Sequence, residues 1–417
     1  MKTRTTTRTP LAVLATAQFL VVLSTSIVNV ALPQIRTGLD LSDAGLSWVI
    51  NAYVLPFGAL LLLGGRAGDV LGLRRVFLSG TALFAAASLA AALAPDAIVL
   101  IVARAAQGVG AALLAPTALA LVLTLYPDPP ARGTALGVWG AVSGAGGAAG
   151  VLLSGLLTGL YGWRSVFSVL VPITVLVLVA TWFLVAPDKP RGGRLDVVGS
   201  ITVTAGLVAL SQGVSGFWPA ALAGLVLLGV FVMTQRRSSD PLLPARMKIV
   251  LLPNVLMALL GAVWLGLFYF LPLYQQRELG YTPMEAGLTQ LPLALMITLV
   301  SWVTPRLRGR YVLPAGLALL AGGLAWLSST PSGLVPLIAA TMLIGAGLGV
   351  AFVELTAASA AGVPAADSGL AGGLMNATRQ VGGAVGLSFL TLLPPYGGPF
   401  LACAVISLLL AGKALQK

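Results

Sequence analysis

Fourteen stretches of the chain are apolar enough to be read as membrane spans. They lie near residues 11–33, 46–65, 76–94, 98–125, 134–158, 165–186, 197–215, 217–235, 252–276, 285–304, 311–329, 334–360, 369–393 and 397–414. A helix needs about 20 apolar residues to cross a bilayer. Lipid offers no partner to open backbone groups, so spans of this kind must be helices. The glycines and prolines scattered inside them are no objection, because membrane helices tolerate both. The pattern predicts an all-α polytopic membrane protein of about fourteen transmembrane helices.

Composition agrees. Of 417 residues, 58% are hydrophobic and 9% charged, where a soluble domain carries about 25% charged residues. The distribution of charge tests the span count. With the N-terminus in the cytoplasm and the spans alternating, 19 Lys and Arg residues fall on the cytoplasmic side and three, Arg36, Arg164 and Arg277, on the other. Positive charge accumulates in cytoplasmic loops, so the layout puts both termini in the cytoplasm and demands an even number of spans. It also has a shape. Spans 1–6 and 9–14 form two blocks, at 1–190 and 251–417, separated by two extra spans with basic flanks at 191–250. Transporters commonly place a substrate site between two such repeats.

Other classes fall away. The chain has no His and one Cys, Cys403, which leaves no His-based metal site and no internal disulfide. No phosphate-binding G-x-x-x-x-G-K-[ST] loop is present, no cofactor or metal is implied, and no nucleophile–base constellation marks an enzyme. The net charge of +12 is spread over loops, which suits orientation and anionic lipid and not nucleic acid. The basic N-terminus precedes an apolar run longer than a signal-peptide core, so an uncleaved first span is expected.

Several polar positions interrupt the apolar pattern. The turn between spans 2 and 3 carries Gly65, Asp69, Gly72, Arg74 and Arg75, either a solvated basic turn or a latch of charges at helix ends. In span 4, Arg104, Gln107 and Gly108 share one helix face. A buried arginine costs about 2.5–3.5 kcal/mol by insertion scales and is a functional candidate by default. It can also clamp helices together. Span 5 carries Gly137, Gly146, Gly150 and Gly155, which permit close packing. Gln18, Thr25 and Asn29 form a stripe on span 1, and Asn376, Arg379 and Gln380 another on span 13. Both are candidate cavity linings or interhelical glue. Glu354 is the one carboxylate set well inside a span, either a proton site or a residue at the cytoplasmic rim.

These motifs resemble those of the major facilitator superfamily, in particular its fourteen-span drug:proton antiporters. The turn from Gly65 to Arg75 is similar to the loop 2–3 signature, with Ala67 and Val70 departing from it. Arg104-x-x-Gln107-Gly108 resembles the span-4 motif whose Arg is implicated in proton coupling. The span-5 glycines resemble the exporter signature, with Val151 in place of its Pro and Ser154 in place of a Gly. Ile27 to Pro33 matches the end of the span-1 motif, whose acidic residue falls on Ser24. The resemblance implies a secondary transporter that rocks two six-helix bundles and exports small amphipathic compounds against protons. It would be a monomer in a bacterial plasma membrane, with Arg104 and Glu354 as the coupling candidates. An importer or uniporter of one metabolite in the same fold is the alternative, and a membrane sensor a more distant one.

Overall fold

The structure is a computed structural model. It describes the chain except residues 1–2, 127, 189–194, 215–216, 238–248, 308, 331, 362, 364–367, 395 and 416–417. The described residues are helices and connecting turns, with no strand among them. The helical segments, numbered by predicted span, are α1 (Thr3–Ser26), α2 (Asp43–Leu71), α3 (Leu73–Ala92), α4 (Ala97–Leu125), α5 (Pro129–Tyr161) and α6 (Ser165–Leu184). They continue with α7 (Val197–Val214), α8 (Trp218–Arg237), α9 (Leu251–Arg277) and α10 (Pro283–Arg306). The last four are α11 (Val312–Ser328), α12 (Leu334–Ala360), α13 (Ser368–Leu390) and α14 (Gly397–Leu415).

Among the described residues, eleven of these are long and apolar enough to cross a membrane. α11 is a shorter apolar helix, and the apolar part of α5 is Ala145–Tyr161. α13 is long, but Asn376, Thr378, Arg379 and Gln380 dilute its apolar residues.

Span 1 differs from its predicted extent. α1 stops at Ser26, and the chain turns through Ile27–Ala31 before a short helix, Leu32–Gly38. Bonds of i→i−3 type close that turn, from Asn29 N to Ser26 O at 3.2 Å and from Ala31 N to Val28 O at 3.1 Å. Pro33 then sits in the first turn of the short helix, where its missing N–H costs nothing. Apolar residues continue on both sides of Asn29 through the turn, and they hid it.

Helices α1–α6 and α9–α14 pack by one rule. α1 touches α4, α5 and α6, and α9 touches α12, α13 and α14. α4 packs on α2 and α3 as α12 packs on α10 and α11, and α3 meets α6 as α11 meets α14. Two seams join the halves, α2 against α13 and α5 against α10. The extra pair lies outside both bundles. α7 touches α2 and α13 along their seam, and α8 packs on α7, with Gly224 its one buried residue.

One face of the molecule carries Arg66, Arg74, Arg75, Arg132, Arg236, Arg237, Arg306, Arg310 and Lys413 at helix ends. It is called the basic face below. Opposite it the halves are drawn together. Gln276 of α9 donates through Nε2 to Val30 O at 2.8 Å. There α5 lies backbone to backbone on α10, so close that a Cβ on Gly155 would stand 2.6 Å from Pro283 O. The conformer is therefore closed on the face opposite the basic one.

Candidate functional site

Arg104 lies two turns into α4 and is 1% exposed. Its guanidinium is held from three directions. Nε donates to Val49 O of α2 at 2.9 Å, and Nη1 donates to Gln107 Oε1 at 2.6 Å. The Gln107 amide passes the link on, its Nε2 donating to Ser88 Oγ of α3 at 2.8 Å. The remaining faces meet aromatic rings. Cζ stands 4.4 Å from the Tyr53 ring centre and 5.9 Å from that of Phe167 in α6. A cation so placed over a desolvated ring gains about 2 kcal/mol.

Gly108 makes this geometry possible. A side chain there would collide with the backbone oxygen of Tyr53, so only glycine lets α4 approach α2 closely enough to set Arg104 against both Val49 O and the Tyr53 ring. Tyr53 then reaches α1, where the Ser24 hydroxyl donates to Tyr53 Oη at 3.0 Å. Five helices thus converge on one cation through two serines, a tyrosine, a glutamine, a phenylalanine and a backbone carbonyl. No carboxylate approaches it among the described residues. The arrangement can hold a permanent positive charge inside the bundle and pass a displacement of α1 or α2 to α4.

The profile of the Major Facilitator Superfamily matches residues 14–387. The chain belongs to the major facilitator superfamily. It is 40% identical to the cephamycin export protein of Amycolatopsis lactamdurans over 98% of this chain and 92% of that one. It is also 40% identical to the puromycin resistance protein of Streptomyces alboniger, over 91% of this chain and 80% of that one. Among solved structures it shares its fold with a peptide transporter crystallised with sulfate, at a TM-score of 0.74 and 18% identity, covering 98% of this chain and 94% of that one.

The superfamily's loop 2–3 signature forms a near-direct passage from α2 into α3, through Gly72 alone. Gly72 has φ 101°, a value that suits glycine. The first amides of α3 are capped from a distance, since Leu73 N and Arg74 N donate to the two oxygens of Asp188 at 2.6 and 2.9 Å. Arg74 donates through Nη2 to Trp182 O at 2.6 Å and stacks over the Trp182 ring. Arg74 therefore binds the end of α6, within its own half, while Arg75 is exposed. These contacts of Arg74 do not cross between the halves. Asp188 was invisible as a functional residue, because an Asp after a Pro in a loop carries no sign of which distant helix it will cap.

The span-5 glycines divide their work. Gly146 packs on Phe19 and Val22, Gly150 packs on Ser26 and Ile27 of the α1 end, and Gly155 faces α10. Gly65 packs loosely on Pro116 of α4. The side-chain surroundings of Gly137 lie outside the described residues.

The two polar stripes diverge from one cavity lining. On α1, Gln18 and Thr25 are half-buried, and Thr25 Oγ1 donates to Val22 O at 2.6 Å. Asn29 lies past the end of α1, buried, its Oδ1 without a partner. On α13, Asn376 Nδ2 donates to Gly372 O at 3.1 Å. Gln380 turns into the seam, against Gly58 of α2. Arg379 stands half-buried with Cζ 5.8 Å from the Phe352 ring of α12, which in turn lies on Trp264 of α9. Its Nε is buried with no partner.

Glu354 is half-buried in α12. Gly347 and Val350 of that helix meet α11 at Leu320 and Gly316. Glu354, two turns on from Gly347, shares their stripe and not that of Phe352. It is thus set apart from Arg379 and lies in the other half from Arg104.

Proposed function

We propose that the protein is an exporter of small amphipathic compounds, of the antibiotic class that its relatives export or resist, and that it works by alternating access coupled to protons. The observation that carries this reading is the Arg104 site. A charge shared among α1, α2, α3, α4 and α6 is expensive in a membrane interior. It is tolerable where its surroundings tie the rocking of one half to the electrostatics of transport. The closed opposite face supports alternation, with the residues 1–190 and 251–417 as the moving halves and 191–250 as the insert between them. The basic face is read as cytoplasmic, with both termini there.

Arg104 is the fixed charge of the cycle. Arginine does not titrate at physiological pH, so the proton rides on another group. Glu354, on the α11-facing stripe toward the basic face, is the candidate. It acts on Arg104 through the relative position of the halves and not by contact. Accumulation of a neutral antibiotic in cells decides the reading. Cells carrying the protein should hold less than cells without it, and a protonophore should abolish the difference. Greater accumulation in the carrying cells would mark an importer.

A further inference from the structure

A cavity of about 360 Å³ lies between the extra helix pair and the α2–α13 seam, lined from α2, α7, α8, α9 and α13. Its walls include Ala59, Val203, Leu207, Phe231 and Val381, and its one side-chain hydroxyl is that of Thr378. That hydroxyl is already engaged, donating to Asn254 Oδ1 at 3.0 Å. A buried water needs two to four polar partners, so this space suits hydrocarbon.

The cavity is stoppered toward the face opposite the basic one. One turn beyond Leu207, Ser211 of α7 joins Asn51 of α2 and Ser388 of α13 in a fully buried polar cluster. Asn51 Nδ2 donates to Ser388 Oγ at 3.1 Å, and the Ser211 and Ser388 hydroxyls stand 2.5 Å apart. Such a cluster would be costly facing lipid. Here it seals three helices together and leaves the cavity only its side and its end toward the basic face.

That end is charged. Phe231 is on α8, and Arg236 and Arg237 follow it by five and six residues, or about 7.5–9 Å along the helix. Both arginines are exposed and neither has a partner among the described residues. The neighbouring carboxylate, Asp196, is engaged. It accepts from Gly199 N at 2.8 Å and from Gln235 Nε2, which fastens α7 to α8.

We infer that this cavity is a binding site for an anionic phospholipid, with one acyl chain in the slot behind α7 and α8 and the phosphate at Arg236 and Arg237. Basic residues at the end of an intramembrane pocket bind anionic headgroups, and the slot supplies the matching hydrocarbon contact one to two turns away. The extra pair is then more than an insert. It holds a lipid chain against the seam along which the halves must move.

Native mass spectrometry of the full chain, delipidated in detergent and titrated with dioleoylphosphatidylglycerol or dioleoylphosphatidylcholine, tests the site. One phosphatidylglycerol should be retained per chain in preference to phosphatidylcholine. Val203→Trp, which fills the slot, should abolish retention. Replacing Arg236 and Arg237 by Gln should cost about five-fold in affinity for each. Ala82→Trp, in the separate groove between α3 and α6, should change nothing. Should Val203→Trp fail to fold, Ala59→Leu fills the slot from its other wall. Undiminished phosphatidylglycerol binding by the folded filled variants would overturn the site. Equal retention of the two lipids would overturn its anionic character. Displacement of phosphatidylglycerol by an amphipathic dye would give the slot to exported compounds instead.

Discussion

The two intramembrane arginines are held in opposite ways. Arg104 is enclosed, with a carbonyl, an amide oxygen and two aromatic rings around it. Arg379 is half-buried, with one phenyl ring beside it and a buried Nε that nothing satisfies. A fully partnered buried charge is part of the frame, and removing it leaves its partners unsatisfied. An under-partnered charge has capacity left for something that comes and goes. On this contrast we propose that Arg104 serves the machinery of movement and Arg379 the reception of substrate or water.

The largest effect should follow loss of the enclosed charge. Arg104→Ala strands Gln107 Oε1 and Val49 O and opens a void beside Tyr53, so export should fall at least 100-fold and thermal stability should drop with it. Transport assays and melting of the purified variant measure both. Arg104→Lys restores the charge without the fork or the stacking and should recover stability better than transport.

Gly108→Ala comes next. It forces α4 away from the Tyr53 carbonyl, at a cost of about 1–3 kcal/mol. Export should decline with the arginine itself intact. Wild-type export there would show that the close helix approach does not matter to the site.

Arg379→Gln sharpens the contrast. Export should fall about ten-fold while the melting temperature stays near that of the wild type. A loss of stability matching that of Arg104→Ala would collapse the distinction between the two arginines.

Ser24→Asp places a titratable group on Tyr53 Oη, beside the cation. The variant should show a pH profile of export displaced from that of the wild type. Identical pH profiles would mean that Ser24 has no electrical route to Arg104. The smallest effect belongs to Asp188→Ala, which uncaps α3 and should cost about 0.5–2 kcal/mol, read as a modest shift in melting with transport largely kept.

Much of the fold was legible, since apolar periodicity marks helices of this length with little ambiguity, and α7 and α8 stood apart by their basic flanks. The site was legible in part. Arg104, Gln107 and Gly108 announce themselves by spacing on one helix. Their partners do not. Tyr53 reads as one of several membrane aromatics, and Val49 contributes only its backbone. The seal formed by Asn51, Ser211 and Ser388 joins residues more than 150 positions apart, each an isolated polar residue in its own span. The depth of Glu354 in its helix could be read from sequence, whereas the neighbour it faces depends on packing.

The polar stripe of α13 also bears on how the chain is made. A segment holding Arg379, Asn376, Thr378 and Gln380 gains little by entering lipid alone, where an arginine at mid-depth is heavily disfavoured. The helices that shield it, α2 and α9, are both synthesised earlier. During biogenesis α13 is therefore a late passenger that settles against helices already in place, and damage to α9 would surface first as a failure of α13 to enter the membrane.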